Sequence, residues 1–439
     1  MLSSLRIGLP SPRLLLPNRI RRRWRSAKSR IHSRQSPTSA ALTSIETSYH
    51  PADTIRALRK HRWSKYDAQY LLLAFIGIFA LSAVQEPGPL IKLAIATVLL
   101  GSLVLPVTRQ FFLPFLPIIG WLVLFYACKY IPAEYRPPIW VRVLPSLETI
   151  FYGANLSNIL SAQKHVVLDL LGWFPYGILH YGGPAIFSII MFIFGPPGFI
   201  NLFAITFGYM NIVGVVIQIL FPCSAPWYEN LYGLAPANYS IHGSPAGLAA
   251  IDKLFHIDLY TSGFTASPLV FGAFPSLHAG NSVLEALFMS QLFPKLRPLI
   301  VCYPLWMCWA TMYLSHHYAV DLVAGGLLAG IAFFITYTYF LPRVQLDKSL
   351  RWDYDYVEFG QPSASNLFNT SDYSALLSDR IHSADSDEWT LGSSSSIAGS
   401  SRARSPSSPK GSLSRSSSDG HGVWDGDTLG SGSDGEVVR

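Results

Sequence analysis

The sequence predicts an all-α fold, a polytopic membrane helix bundle of about eight spans with disordered termini. Three observations carry the prediction. Hydrophobic residues make up 50% of the chain and charged residues only 13%, whereas soluble domains carry about a quarter charged residues; mean hydropathy is +0.30. Apolar runs close to span length recur along the middle of the chain, separated by short Pro-, Gly- or charge-bearing links. The polar composition gathers at the two ends, which divides the chain into a basic N-terminal tail at 1–65, a membrane domain at 66–345 and a Ser-rich tail at 346–439.

The basic tail comes first. Arg6, Arg13, Arg19, Arg21, Arg22, Arg23, Arg25, Lys28, Arg30 and Arg34 all precede the first acid, Glu46, and by themselves exceed the net charge of +7. Spread over a soluble domain, such a charge suggests nucleic acid. Crowded beside a multi-span body, it marks a cytosolic tail that obeys the positive-inside rule, and no nucleic-acid partner is expected. An Arg- and Ser-rich start also imitates a mitochondrial transit peptide, but Pro10, Pro12 and Pro17 interrupt the amphipathic helix one needs. The tail is expected to be mostly disordered and to end in an interfacial segment around Trp63 to Tyr66.

The apolar runs are 70–84, 90–107, 111–127, 185–194, 199–221, 279–293, 299–314 and 322–341. Gln85-Glu86-Pro87-Gly88-Pro89 and Gly195-Pro196-Pro197-Gly198 read as turns. Residues 128–182 read as an amphipathic loop, with Ser161–Leu171 a short helix on the membrane interface, and 222–273 as a second polar loop. With the Arg-rich end in the cytosol, alternate crossings place 85–89, 128–182, 222–278 and 315–321 outside, and the C-terminus inside. The tail past Pro342, with Gly392 to Ser396 and Ser412 to Gly420, cannot bury a core.

Cys128, Cys223, Cys302 and Cys308 form no CxxC pair, so neither a zinc nor a thioredoxin-like site is expected. A Cys128–Cys223 disulfide is open to the spacing, but apolar membrane cysteines are the simpler reading. Glycosylation sequons occur at Asn155, Asn238 and Asn369.

The chemistry is concentrated in two stretches, Phe274-Pro275-Ser276-Leu277-His278-Ala279-Gly280 and Ser315-His316-His317-Tyr318-Ala319-Val320-Asp321. Pro275 stops earlier structure, Ser276 is a natural N-cap, and His278 falls in the first turn of the following helix. Free amides and the positive end of the helix dipole there suit a phosphate; taken alone, the histidine reads as a polar cap. His317 and Asp321 stand i, i+4, so the carboxylate can hold one ring N–H and leave the other nitrogen free to attack. An acid bordering an apolar span needs a partner or a task, though a helix-capping carboxylate beside a headgroup-facing histidine is the bland alternative. His316 has no carboxylate four residues on. The topology places His278 and His317 on one membrane face, as a phosphoryl-transfer site needs.

Together the stretches resemble the second and third motifs of the type 2 phosphatidic acid phosphatase (PAP2) superfamily: Pro-Ser-x-His, then His followed four positions later by Asp. The resemblance implies a PAP2-like core in which His317 is a phosphorus-attacking nucleophile, Asp321 its orienter and His278 the acid. The third motif's usual Ser-Arg is absent, its positions being Ala310 and Thr311. The first motif, Lys-x6-Arg-Pro, occurs as Lys129 to Arg136-Pro137, further upstream than usual; Lys129, Arg136 and Ser276 are the implied phosphate contacts, while Lys129 reads equally as snorkelling from a span end.

Arg136-Pro137-Pro138-Ile139, Val143-Leu144-Pro145-Ser146-Leu147-Glu148, Phe271 to Gly280 and Ser315 to Gly326 are similar to the catalytic subunits of fungal inositol phosphorylceramide synthases, over roughly 50–345. That likeness implies a Golgi membrane location with a lumenal site and both termini cytosolic. It implies transfer of phosphoinositol from phosphatidylinositol to ceramide through a phosphohistidine, with no metal or other cofactor, and in some members a small membrane regulatory subunit. Trp173, Phe174, Tyr176, His180 and Tyr181 stand where inositol or ceramide recognition is conceivable, but membrane-boundary aromatics are more often belt anchors. The rivals are a lipid phosphate phosphatase, another sphingolipid headgroup synthase, and a transporter or scaffold. Against the last, Glu285 is the main charge inside the expected spans, so no ion pathway is evident.

Overall fold

The computed structural model describes residues 45–61, 63–345, 347–354 and 357. Expectations for the tail before 45, the tail after 357 and the Asn369 sequon lie outside these residues. Among the described residues the chain is helical, with isolated bridges at Trp140–Cys223 and Cys223–Gly272.

The helices, in order, are α1 (Pro51–Lys60), α2 (Ala68–Ala83), α3 (Pro89–Val104), α4 (Pro106–Ala127), α5 (Val143–Tyr152), α6 (Leu156–Ser161), α7 (Val166–Trp173), α8 (His180–Phe194), α9 (Phe199–Leu220), α10 (Pro226–Tyr232), α11 (Ala249–Phe255), α12 (Tyr260–Thr265), α13 (Leu277–Leu292), α14 (Arg297–Tyr313) and α15 (Ala319–Tyr339). Pro51, Pro89, Pro106 and Pro226 each open a helix, where the missing N–H has no intrahelical partner to lose. Asn155 caps α6 and Ser276 caps α13 through side-chain oxygens. In the N-terminal segment, α1 is ordered helix, held where Val107 N donates to Ser48 O and Gln110 brackets Glu46.

Among the described residues, five helical stretches are long and apolar enough to cross a membrane: Lys65–Ala83, Pro106–Tyr130, Val166–Phe194, Phe199–Leu220 and Ala319–Tyr339. Pro89–Val104 is apolar but shorter, and Leu277–Leu292 and Arg297–Tyr313 occupy the remaining two expected positions with 16 and 17 residues. Leu71, Phe75, Ile78, Leu90, Leu93 and Val98 on α2 and α3 are exposed, as side chains that meet lipid should be.

One element departs from expectation. The interfacial helix Ser161–Leu171 does not form as such: Ala162 to His165 break the helix, and Val166 begins a 29-residue apolar stretch through Phe194. Asp169 lies near the start of that stretch. Its carboxylate is buried and accepts a 2.7 Å hydrogen bond from the Tyr313 hydroxyl, so the acid is accommodated within the bundle.

The main core joins α8, α9, α13 and α15 through Met191, Phe199, Phe203, Leu284, Phe288 and Phe333. Buried polar pairs tie the same helices: Asn211 Nδ2 donates to Asn281 Oδ1 at 2.8 Å, and the Thr206 and Thr336 hydroxyls meet at 2.7 Å. At Gly208, α9 approaches α4 so closely that a Cβ would lie 2.5 Å from the Pro117–Ile118 backbone. The second expected loop is folded into α10 to α12, which cover the site-bearing ends of α13, α14 and α15. All four cysteines are free thiols, so the Cys128–Cys223 pairing is not made.

Candidate active site

The site forms where the starts of α13 and α15 meet. Ser276 Oγ accepts from Ala279 N at 3.3 Å, capping α13, while Ser276 N donates to Asp321 O at 3.0 Å. The second contact stitches one motif to the other. It is permitted by Gly325, whose missing Cβ would overlap the Ser276 carbonyl oxygen; any other residue there drives the helices apart.

After α14 the chain reverses at Ser315, a non-glycine residue held at φ 61°. Its carbonyl accepts from Trp227 N at 2.9 Å, and the His316 and His317 amides both donate to Thr311 O. The turn thus aims successive histidines apart. His316 Nε2 bonds the Pro245 carbonyl at 3.1 Å, and its ring stacks on Phe264 and Tyr176. Burial first, then neighbouring His317, pushes its pKa down to about 3, so it is a neutral packing group.

His317 points the other way. Its Nδ1 lies 3.2 Å from Asp321 Oδ2 and its Nε2 lies 3.0 Å from His278 Nδ1. Asp321 is fully buried, and the same oxygen also accepts from Tyr318 N at 3.2 Å. An ionised carboxylate only accepts, so His317 Nδ1 carries the proton and Nε2 presents a lone pair. His278 Nδ1–H must then be the donor in the contact between the rings. The chain Asp321, His317, His278 therefore supplies, in sequence, an orienting acceptor, a nucleophilic nitrogen and a proton donor.

The loop holding Tyr318 is fixed by two acids absent from the sequence-derived set. Tyr318 OH donates to Glu229 Oε2 at 2.8 Å, which also accepts from Asn155 Nδ2 at 2.9 Å. Glu148 on α5 is fully buried and accepts from Leu156 N at 3.0 Å; burial raises its pKa to about 7. The Asn155 sequon is thus tied into the fold, whereas Asn238 is exposed.

Two aromatic residues set aside as belt anchors belong to the site. Between α7 and α8 the chain makes a π-helical turn, Phe174–Leu179, in which His180 N bonds Pro175 O. Such turns recur at functional sites. Here it presents Tyr176, buried and 4.6 Å from the His278 ring centroid, and His180, 4.4 Å from it. Trp173 Nε1 donates to Tyr260 OH at 2.6 Å, and Asp252 caps α12 through Tyr260 N and Thr261 N, fixing the turn from the far side. No spacing rule marks these residues, because the turn that gathers them has no strong sequence code.

Lys129 and Arg136 are placed elsewhere. Arg136 Nε donates to Ile131 O at 2.9 Å and Nη2 to Cys128 O at 2.7 Å, and the guanidinium lies over the Tyr239 ring. Its fork closes the loop that carries it. With Lys129, His242 and Asp258 it lines a cavity of about 670 Å³ at the ends of α4 and α9, and among the described residues neither cation makes a hydrogen bond or ring contact with His278 or His317. No cluster of three or more His, Cys, Asp or Glu side chains with metal-holding geometry occurs among the described residues.

The PAP2 superfamily model matches residues 139–335, which includes both histidine stretches. The chain is 53% identical over 331 residues to the inositol phosphorylceramide synthase catalytic subunit aur1 of Schizosaccharomyces pombe, covering 75% of this chain and 78% of that protein. It is 44% identical to the corresponding Saccharomyces cerevisiae catalytic subunit, over 75% of this chain and 82% of that one. A Bacteroides thetaiotaomicron phosphoinositol dihydroceramide synthase is 26% identical over 43% of this chain and 64% of its own length. No solved structure matches. With identity of this extent spanning the histidine pair and the helices that hold it, the chain belongs to the fungal inositol phosphorylceramide synthase catalytic-subunit family, membrane-embedded phosphoinositol-transferring enzymes of the PAP2 superfamily.

Proposed function

We propose that this chain moves phosphoinositol from phosphatidylinositol to the primary hydroxyl of ceramide through a phosphohistidine on His317. The observation that carries the mechanism is the unbroken Asp321–His317–His278 relay, with contacts of 3.2 and 3.0 Å. His317 Nε2 attacks the donor phosphorus, the bond to the diacylglycerol oxygen breaks, and His278 gives that oxygen its proton. Asp321 steadies the charge that develops on the His317 ring. Ceramide then enters, His278 takes the proton of its hydroxyl, the new P–O bond forms, and the P–N bond to His317 breaks. Inositol phosphorylceramide and diacylglycerol leave, and the relay returns to its starting protonation. Acid–base assistance of this kind accelerates a reaction by about 10²–10⁴.

Ser276 serves as the cap that aligns α13 so that its first amides and His278 face the phosphate. Lys129 is the candidate for an outer approach to the anionic donor, since it lines the cavity beside this end of the bundle, while Arg136 closes the loop that forms the cavity wall. The Arg-rich N-terminus supports cytosolic termini and a site on the opposite, lumenal face, and the Golgi as the compartment rests on the family likeness alone. The test supplies purified protein with phosphatidylinositol labelled in the headgroup and with ceramide. Labelled inositol phosphorylceramide, formed with equimolar diacylglycerol, is the expected outcome. Release of free inositol phosphate at the same rate with or without ceramide would make the protein a hydrolase instead.

A further inference from the structure

Glu285 is the one acid deep in α13, two turns past His278, and the relay makes no use of it. It is 1% exposed, and among the described residues neither carboxyl oxygen has a partner within 3.5 Å, the Tyr303 hydroxyl of α14 being the polar group it interacts with. An unpaired ionisable group at such a place is costly, and a fold that retains one commonly uses it on a ligand.

Its position says which ligand atoms it faces. Residues seven apart share a helix face, and side chains lean toward the helix start, so the carboxyl projects back toward the His278 level. Gly183 on α8 gives the depth. A Cβ there would lie 3.5 Å from the Tyr303 hydroxyl of α14 and 3.8 Å from Glu285 Oε2. Gly183 is three residues past His180, whose ring is 4.4 Å from that of His278. The Glu285–Tyr303 pair therefore sits about 5 Å, one helical turn, deeper in the bundle than the reacting histidines. Gly183 itself carries no side chain, and the nearest side chain of α8, Phe187, is apolar and packs edge-on against the Tyr303 ring, so α8 offers the two polar groups no polar partner.

We propose that Glu285, with Tyr303, determines acceptor specificity by receiving hydrogen bonds from the amide N–H and secondary hydroxyl of the sphingoid base. This rests on ceramide being the acceptor. Those donors stand on the two carbons next to the one bearing the reacting hydroxyl, so they fall just below it when it reaches the histidines. Diacylglycerol, the lipid alcohol released in the first half of the reaction, offers only ester carbonyl acceptors at those carbons. A carboxyl oxygen accepts from both ceramide donors, whereas diacylglycerol has no donor to offer it at those carbons, which biases the phosphohistidine toward ceramide and against return of the headgroup to its source. Sites built to bond a substrate O–H or N–H reject analogues that lack it far more strongly than apolar pockets do.

The full chain, purified into lipid nanodiscs, is assayed with labelled phosphatidylinositol and three acceptors: ceramide, a matched 3-deoxyceramide and a matched N-methylceramide. Glu285→Leu should lower kcat/KM for ceramide at least about tenfold, chiefly through KM, with the phosphatidylinositol KM unchanged. The two analogues, already weak with the parent chain, should lose little more. Glu285→Gln, which keeps an acceptor oxygen, and Tyr303→Phe should give smaller losses of the same pattern. They carry the test if the Leu variant does not fold, as read by its melting midpoint. Equal losses for all three acceptors, a matching rise in the phosphatidylinositol KM, or unaltered ceramide kinetics would overturn the proposal. Absence of any transfer to ceramide by the parent chain would instead overturn the assignment of the reaction.

Discussion

The two histidine stretches and the Lys-x6-Arg-Pro stretch stand in the sequence as comparable motif fragments, yet the fold treats them differently. His278 and His317, 39 positions apart, end with ring nitrogens 3.0 Å apart. Arg136 turns inward on its own loop and bonds Cys128 O and Ile131 O. A motif signals chemistry only if its functional atoms are left uncommitted. The histidine ring nitrogens point at each other across an interhelical gap, whereas much of Arg136's donor fork is occupied by backbone.

That contrast can be broken or sharpened by substitution. The largest effect belongs to His317→Ala, expected to reduce transfer by at least about 10⁴-fold, as removal of a nucleophile does in other relays. His278→Ala should follow with a loss of about 10²–10⁴. Measured by product formation from labelled donor, near-normal turnover in either variant would return the pair to a structural role. Next comes Gly325→Ala. The added methyl group pushes against the Ser276 carbonyl and separates α13 from α15. A displacement of about 1 Å at the relay is enough for a loss of the order of 10²-fold in kcat, and the same variant should also melt at a lower temperature.

Arg136 separates the two readings of its region. Arg136→Ala removes two charge-assisted hydrogen bonds to carbonyls and should lower stability by about 2 kcal/mol, with little change in the phosphatidylinositol KM. Arg136→Lys keeps the charge but cannot span both carbonyls, so it should destabilise similarly. A raised donor KM in the Ala variant, rescued by Lys at unchanged melting temperature, would instead place Arg136 on the phosphate.

The smallest expected effect concerns His316. Its pKa of about 3 in the fold lies below the ordinary 6.5. The unfolded chain therefore binds the proton more readily, and stability falls as pH drops from about 6.5 toward 3. Melting midpoints taken across that range should slope less steeply in His316→Gln than in the parent chain. Equal slopes would mean that other groups carry the acid sensitivity.

Much of this molecule is written in local pattern. Composition alone requires a membrane bundle, because the chain has too few charges to cover a soluble surface. Four of the five helical stretches long and apolar enough to cross a membrane fall on apolar runs bounded by Pro, Gly and charge, while Val166–Phe194 begins well before its run. Ser276 as an N-cap and His317 with Asp321 on one turn are consequences of helical spacing, a property of a few consecutive residues. Tertiary structure decided what no run of neighbours encodes. Asp169 by itself marks a polar helix start unsuited to a span, and Tyr313, 144 positions away, supplies the partner that lets it be buried. Tyr176 and His180 read as boundary aromatics until a π-helical turn rotated both onto His278. Arg136 reads in sequence as a phosphate contact, and the fold turns two of its donors onto Ile131 O and Cys128 O. In each case the deciding term is the burial or pairing of a polar group by a partner distant in sequence, and that term is set only when the helices pack.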